Sequence, residues 1–457
     1  MSGLKHFLWR KRVLILAVAV LLTLLGFLSC NLRHPRLDPR LDAIRKAGYP
    51  VTLAELDDWY PRVPDEQNAA LIYTNAFARM VYVSPEDNNP DRRQIADIKL
   101  PQRGQNLSTA DAAELAAMIA SNAPALQLLY SAPNLTNSRY PIDLKLGFQT
   151  LLPDLARVKG AVRLLAAEAA WHMANGERAK CAGSLQAAVK VASSLNAEPL
   201  LISQLVRFAA WSIIVSQLEH VLNATNFSTG EIISLQAALA DAEQPAGAAR
   251  ALAGERTTGL AIFDDPKMRP LIFGSGQPTG NGGTDLKTRA LLSALLVCGI
   301  FANDRSYYLE SMTTNVDAVS LPYPARFRAA QQAGAAFATT PSRFYIFSRM
   351  LLPALGKFHL RDAEHATRVR VAQTVLAIER YGLAHTNVLP ASLDLLVPEY
   401  LPSVPDDPCS GEKLRFKRLE NGYVVYGVGP DGRDDGGQEK QTGGSKANFD
   451  ITFTIER

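Results

Sequence analysis

The sequence predicts a mainly α-helical protein, built as helical hairpins or an array of helices, with a small C-terminal α+β module containing a three-stranded antiparallel sheet. Three observations lead there. In successive segments between residues 65 and 384 apolar side chains recur at steps of three and four, the period of a helix with one buried face. Near the C-terminus the pattern changes to short alternating runs, "KLRFKRL" and "VVYGVG", with Asn421-Gly422 between them, a strong hairpin signal. The chain has 457 residues and 47% hydrophobic content, enough for two or three domains with ordinary packed cores.

The first element is an apolar run, "VLILAVAVLLTLLGFLS", from Val13 to Ser29, free of charge and preceded by Lys5, Arg10, Lys11 and Arg12. About 17 residues at ~1.5 Å each reach ~26 Å, close to the minimum for a bilayer core. No small-x-small cleavage site precedes Cys30, which favours a signal anchor over a removed signal peptide. The preceding basic cluster favours a cytoplasmic N-terminus, with everything after Asn31 exported. The alternative is a lipoprotein anchored at Cys30, because "FLSC" places that cysteine directly behind the apolar run. Residues 1–46 hold nine basic and two acidic side chains, so the net charge of +4 belongs to the flanks of the anchor. The remainder is slightly acidic, and a basic face for nucleic acid is not expected. Cys30, Cys181, Cys298 and Cys409 are widely scattered, which suits neither a disulfide framework nor a zinc site.

Behind the anchor Pro35, Pro39, Pro50, Pro61 and Pro64 cut the chain into short pieces. Helix is expected to resume near Asp65 and run to Val83, followed by a long loop over Ser84–Leu107. Ser108 and Thr109 form a candidate N-cap for one helix through Tyr130. Between Leu155 and Leu222 two alanine-rich helices of similar length flank a turn at Asn175-Gly176, and a third follows. This is a helical hairpin like one tetratricopeptide-type unit, without a second copy at that period. "GSGQPTGNGG", Gly274–Gly283, reads as a surface linker, Ala290–Ala302 as a buried helix, and Ala363–Ala384 as an amphipathic helix.

The stretch "AIERYGLAHTNVLPASLDLLVPEYLPSVPDDPCSG", then "YGVGPDG" and "NFDI", resembles the globular part of the major pseudopilins, the type II secretion protein G family. The likeness covers residues 361–457. It implies a pilin-like fold: a long helix, a proline-rich passage, a small antiparallel sheet and a calcium loop. Val13–Ser29 contains no glutamate, unlike a pseudopilin's leading helix, so a protein carrying a pilin-like module is expected in place of a filament subunit. The whole chain, including "EPLLISQLVR", resembles membrane-anchored bacterial proteins, and that resemblance implies no reaction.

"VVYGVGPDGRDDGG" gathers five glycines and three aspartates between Val424 and Gly437. A hard cation needs six to eight oxygens on backbone that turns sharply. An EF-hand is excluded, because counting from Asp431 puts Arg433 third and Thr442 twelfth. By the pseudopilin resemblance, the Val428 carbonyl, Asp431 and Asp450 would ligate calcium, with Asp434 or Asp435 completing the shell. The competing reading is a solvated Gly/Asp connection.

Catalytic patterns are absent from the sequence. No serine sits in G-x-S-x-G, no H-E-x-x-H occurs among the seven histidines, and the Gly-rich stretch lacks a phosphate-loop lysine. His359 and His365 in "HLRDAEH" are expected at a solvated helix start. Trp171, His172 and His220 are expected to be core or groove lining, and Asp57-Asp58 and Asp264-Asp265 caps or solvated acids. The organisation expected is an anchor over 1–30, a helical extracytoplasmic domain over 31–360 and the module over 361–457. The protein would be single-pass in a bacterial inner membrane with its bulk periplasmic. It would bind or scaffold envelope or secretion proteins, with a structural calcium in the module. An exported hydrolase without a recognisable motif and an accessory part of a secretion or pilus machine are the alternatives.

Overall fold

The structure is a computed structural model that describes residues 38–81, 100–132, 135–240, 242–264, 300–339, 345–439 and 449–457. The anchor segment, Cys30, Cys298, Asn448, the linker and most of Ala290–Ala302 lie outside the described residues. Among the described residues there are fourteen α-helices and one three-stranded antiparallel sheet, so the mainly helical class with a small C-terminal sheet holds.

After two short helices, α1 (Pro39–Lys46) and α2 (Leu53–Trp59), α3 spans Ala69–Arg79. It starts later than its periodicity suggests. Asp65–Gln67 form a 3-10 turn, and the Asn68 side chain caps the helix by accepting Ala70 N–H. Ser108 does cap a helix, its hydroxyl accepting Asp111 N–H. The single helix expected behind it is two, α4 (Thr109–Ser121) and α5 (Ala123–Ser131). Pro124, which has no N–H to continue the α4 ladder, instead sits in the first turn of α5.

The hairpin is present as α6 (Asp154–Ala174) and α7 (Arg178–Ser193), joined through Gly176 at φ +73°. Glycine takes up this left-handed conformation at a helix end without a Cβ penalty. α8 (Leu201–Ala224), α9 (Thr229–Leu239) and α10 (Pro245–Asp264) follow, then α11 (Ile300–Val319), α12 (Ala325–Thr339), α13 (Ile346–Leu351) and α14 (Pro353–Ala384).

Two cores hold these together. The larger takes Val158 and Leu165 of α6, Trp211 and Ile214 of α8, and Val375 of α14 together with Val425 and Phe453 of the sheet. The second joins Leu252 of α10, Tyr308 and Met312 of α11, and Phe358 of α14. A fully buried Leu, Val or Phe contributes roughly 1.5–3 kcal/mol, so α8 and α14, which feed both cores, carry the architecture. α14 runs unbroken across residue 361. Among the described residues only α8 is long and apolar enough to cross a membrane. It carries buried Gln204, Arg207 and Gln217 and packs on α6, α14 and the sheet, so it is a core helix.

The sheet is β1 (Arg415–Leu419), β2 (Gly422–Gly427) and β3 (Ile451–Glu456), in that order. Leu419 pairs with Gly422, so the hairpin turn centres on Glu420-Asn421, one residue before the expected Asn-Gly. Gly422 is required by the neighbouring strand: a Cβ there would lie 1.8 Å from the Ile455 carbonyl oxygen. The free edge of β3 is sealed by α8. Glu219 accepts Thr454 N–H at 2.7 Å, while Asn223 donates to Thr454 O at 2.8 Å and accepts Glu456 N–H at 2.7 Å. Two side chains one helical turn apart thus replace a fourth strand.

Candidate functional site

The Asp/Gly loop lies across the outer face of the sheet. Gly437 packs within van der Waals reach of Val424 and the Tyr426 ring, Lys417 donates to Gly436 O at 3.3 Å, and Arg415 pairs with Asp434 at 2.8 Å. Farther on, Thr454 donates to Glu439 at 2.8 Å. All three strands therefore hold the loop, and Val424 and Tyr426 are buried on the face that would otherwise be wet. Asp431, Arg433, Asp434 and most of the other described loop residues stay exposed, so the connection is solvated on its outer side and tied to the sheet on its inner side.

Asp450 is the anchor of the cover. It is buried, and its carboxylate accepts Gly437 N–H at 2.7 Å and Asp435 N–H at 3.2 Å. Burial pushes its pKa up and the two N–H groups pull it down, while Asp434 and Asp435 beside it raise it again. Asp435 Oδ2 is buried with no hydrogen-bond partner. Asp434 is exposed, tied to Arg415 and accepting Gly436 N–H at 2.9 Å. Asp431 is exposed and accepts Arg433 N–H at 3.2 Å within its own turn. Val428 uses its N–H on Asp407 at 3.0 Å.

Of the expected ligands the structure therefore brings Asp450, Asp434 and Asp435 into one electrostatic neighbourhood and leaves Asp431 apart in its turn. Among the described residues no three acidic, histidine or cysteine side chains converge in a metal-holding arrangement. The donor chemistry suits a hard cation all the same, because Asp435 supplies a buried oxygen that no protein group satisfies and Asp450 a second carboxylate next to it.

Sequence reasoning missed Asp407. This fully buried aspartate accepts Val428 N–H, Cys409 N–H at 3.1 Å and the Ser410 hydroxyl at 2.9 Å. It locks the proline-rich passage to the end of β2. Its signal was present in "DDPCSG", where an Asp ahead of turn residues reaches forward to their amides.

The helical body holds further ionisable groups. His359 and His365 are buried inside α14, not at a solvated helix start, since α14 begins at Pro353, six residues before His359. His359 Nε2 meets Asn315 Oδ1 at 2.8 Å and His365 Nε2 meets the Ala242 carbonyl at 3.1 Å. Burial drives both imidazoles down, His359 to about 4. On the same helix Asp362 accepts the Tyr323 hydroxyl at 2.6 Å and pairs with buried Arg326 at 2.6 Å. In the hairpin, Glu168 accepts the Ser184 and Tyr130 hydroxyls, while the neighbouring His172 meets Glu177 at 2.6 Å. The serine thus hydrogen-bonds Glu168, while the imidazole hydrogen-bonds Glu177 through Nδ1 and holds Nε2 3.9 Å from Glu168. His220 is buried with Nδ1 at 3.0 Å from the Gln102 carbonyl, Asp57 accepts Leu144 N–H, and Asp264 pairs with Arg305. Cys181 and Cys409 are free, buried thiols, which burial pushes up to about 12.

No protein-family model, no curated protein and no solved structure matches the chain.

Proposed function

We propose that this is a bacterial envelope protein, tethered to the inner membrane by Val13–Ser29 with its bulk periplasmic. Its helical body is a binding or scaffolding surface for envelope or secretion proteins, and its pilin-like C-terminal module is pinned by a structural calcium ion. The observation that carries the calcium is the partnerless buried Oδ2 of Asp435 beside the buried Asp450.

Asp435 and Asp450 would hold the ion with Asp434 beside them, and Asp431 and the Val428 carbonyl, which the pseudopilin resemblance adds, would complete the shell once the Asp431 turn closes onto them. Calcium supplies positive charge where this chain places carboxylates together. The chain's own part is to spend Asp450 on two loop N–H groups, to set Arg415 on Asp434 and to bury the result under the loop. Ordering a long Gly-rich loop costs on the order of 1 kcal/mol per residue, and a cation bound only by the closed loop offsets part of that.

The test is calorimetric titration of the detergent-solubilised full chain with calcium chloride. One ion per chain is expected, with a Kd on the order of 10⁻⁴–10⁻³ M, the range of extracellular modules. Asp450→Asn should abolish it, and a wild-type protein that gives no binding heat at millimolar calcium would refute the site. The tether has its own check in a C-terminal reporter active only outside the cytosol. Activity is expected, and a reporter that stays inside sinks the topology.

A further inference from the structure

The helical body contains a polar cleft of about 300 Å³, bounded by α3, the C-terminal ends of α7 and α9, and the segment from Leu135 to Ser138. That volume is at the small end of ligand pockets. Its rim is fixed: Asn68 bonds the Arg139 backbone in both directions, at 2.9 Å each, and Ser194 is held by the Tyr140 hydroxyl at 2.8 Å. The segment over the cleft is thereby stapled to α3, which makes a preformed site.

Three features define what fits. The polar lining is almost wholly hydroxyl and amide, including Asn137, Ser138, Ser193 and Asn196, set against apolar Val63 and Ala238. Among the described residues Lys190 is the one charged side chain in that lining, and no carboxylate lines the cleft with it. Asn196 Oδ1 lies buried at the cleft without a hydrogen-bond partner, an acceptor left over after the protein has made its own bonds.

We infer that this cleft binds an acidic saccharide, with the sugar carboxylate on Lys190 and ring hydroxyls bonded to Asn196 and the neighbouring serine hydroxyls. An amino acid would set its ammonium against neutral hydroxyl and amide oxygens alone, with no carboxylate in the lining among the described residues to pair with it. A purely apolar ligand would strand the hydroxyls and amides. This site rests on the reading of the helical body as a binding surface and uses no residue of the Asp/Gly loop, so loss of calcium binding and loss of saccharide binding are separate results.

The experiment is a saturation-transfer NMR titration of the full chain in a sugar-free detergent. The probes are sodium D-glucuronate, D-glucose and N-acetylglycinate, an anionic amide without hydroxyls. Glucuronate should bind at least tenfold more tightly than glucose or N-acetylglycinate. Lys190→Ala should bring glucuronate to the level of glucose, and Asn196→Ala should weaken both sugars at least tenfold. Because Asn196 Oδ1 makes no protein hydrogen bond, Asn196→Ala should leave the unfolding midpoint unchanged or higher, whereas a structural asparagine would lower it. Ser193→Ala, at the same wall, provides the second variant and should weaken glucuronate severalfold. No transfer from glucuronate to the wild-type protein, equal binding by all three variants, or preference for N-acetylglycinate would each overturn the assignment.

Discussion

Two buried aspartates, Asp407 and Asp450, each tie a loop to the sheet, and they do so in opposite electrostatic settings. Asp407 is surrounded by donors: two backbone N–H groups and a serine hydroxyl satisfy it, and Arg370 donates to the neighbouring Asp406 carbonyl. Asp450 has two N–H donors but also Asp434 and Asp435 as neighbours, and one Asp435 oxygen has no partner. The first loop is complete as protein. The second gathers three carboxylates against two N–H donors on Asp450 and, on Asp434, the Gly436 N–H and one arginine, Arg415, and in the function proposed above a cation would complete it.

The largest effect that would sharpen this contrast is expected at Asp407. Asp407→Ala strands Val428 N–H and Cys409 N–H in the interior, and at ~1–3 kcal/mol per stranded group it should cost about 3–5 kcal/mol in denaturant unfolding. The loss should be the same with calcium as with chelator. A calcium-dependent loss would erase the distinction between the two loops.

Next is a buried carboxylate with the wrong surroundings for its charge. Burial pushes Glu198 up to about 7 even though Ser203 donates to it at 2.5 Å. A raised pKa gives stability that is full below the ordinary glutamate range and is lost as pH climbs from about 4.5 to 7. Glu198→Gln keeps the acceptor and removes the ionisation, so it should flatten that decline and stabilise the protein by about 2–3 kcal/mol at pH 8. An unchanged pH profile would contradict the burial argument.

Smaller, and decisive for the loop, is Asp450→Asn. At ten times the Kd a calcium-bound wild type gains about 1.4 kcal/mol, which the variant should lack. In chelator the two should be nearly equal, because the Asp450 charge is unfavourable there. Calcium affinity should also fall as pH drops and Asp450 takes up its proton, earlier than for an ordinary aspartate. The smallest change is expected at Asp431. Asp431→Ala, in an exposed turn, should alter stability in chelator by under about 0.5 kcal/mol and weaken calcium less than Asp450→Asn does. A loss equal to that of Asp450→Asn would make Asp431 a principal ligand.

Much of this fold was legible in the chain because the signals were local. The Ser108 cap, the Asn175-Gly176 turn and the three alternating strands each depend on residues a few positions apart. Pro124 was a legible break that the apolar period of its neighbours masked. The early start of α14 was harder, since "HLRDAEH" has the polarity of a surface turn; its histidines are buried only because Asn315 and the Ala242 carbonyl, distant in sequence, meet them. The loop's acidic character was visible, but its path over the sheet depends on Lys417 and Arg415 of β1, and no spacing encodes that pairing. The seal on β3 by Glu219 and Asn223 was equally hidden, because a helix surface pair acquires that role only when a strand edge arrives beside it.

The most direct measurement is hydrogen–deuterium exchange of the full chain in calcium and in chelator, read on peptides covering residues 431–439 and 405–412. Calcium pinning predicts at least tenfold slower exchange in the first peptide, where Asp435 and Gly437 donate to Asp450, and no change in the second, where Asp407 is already satisfied. Identical exchange of residues 431–439 in both buffers would contradict it.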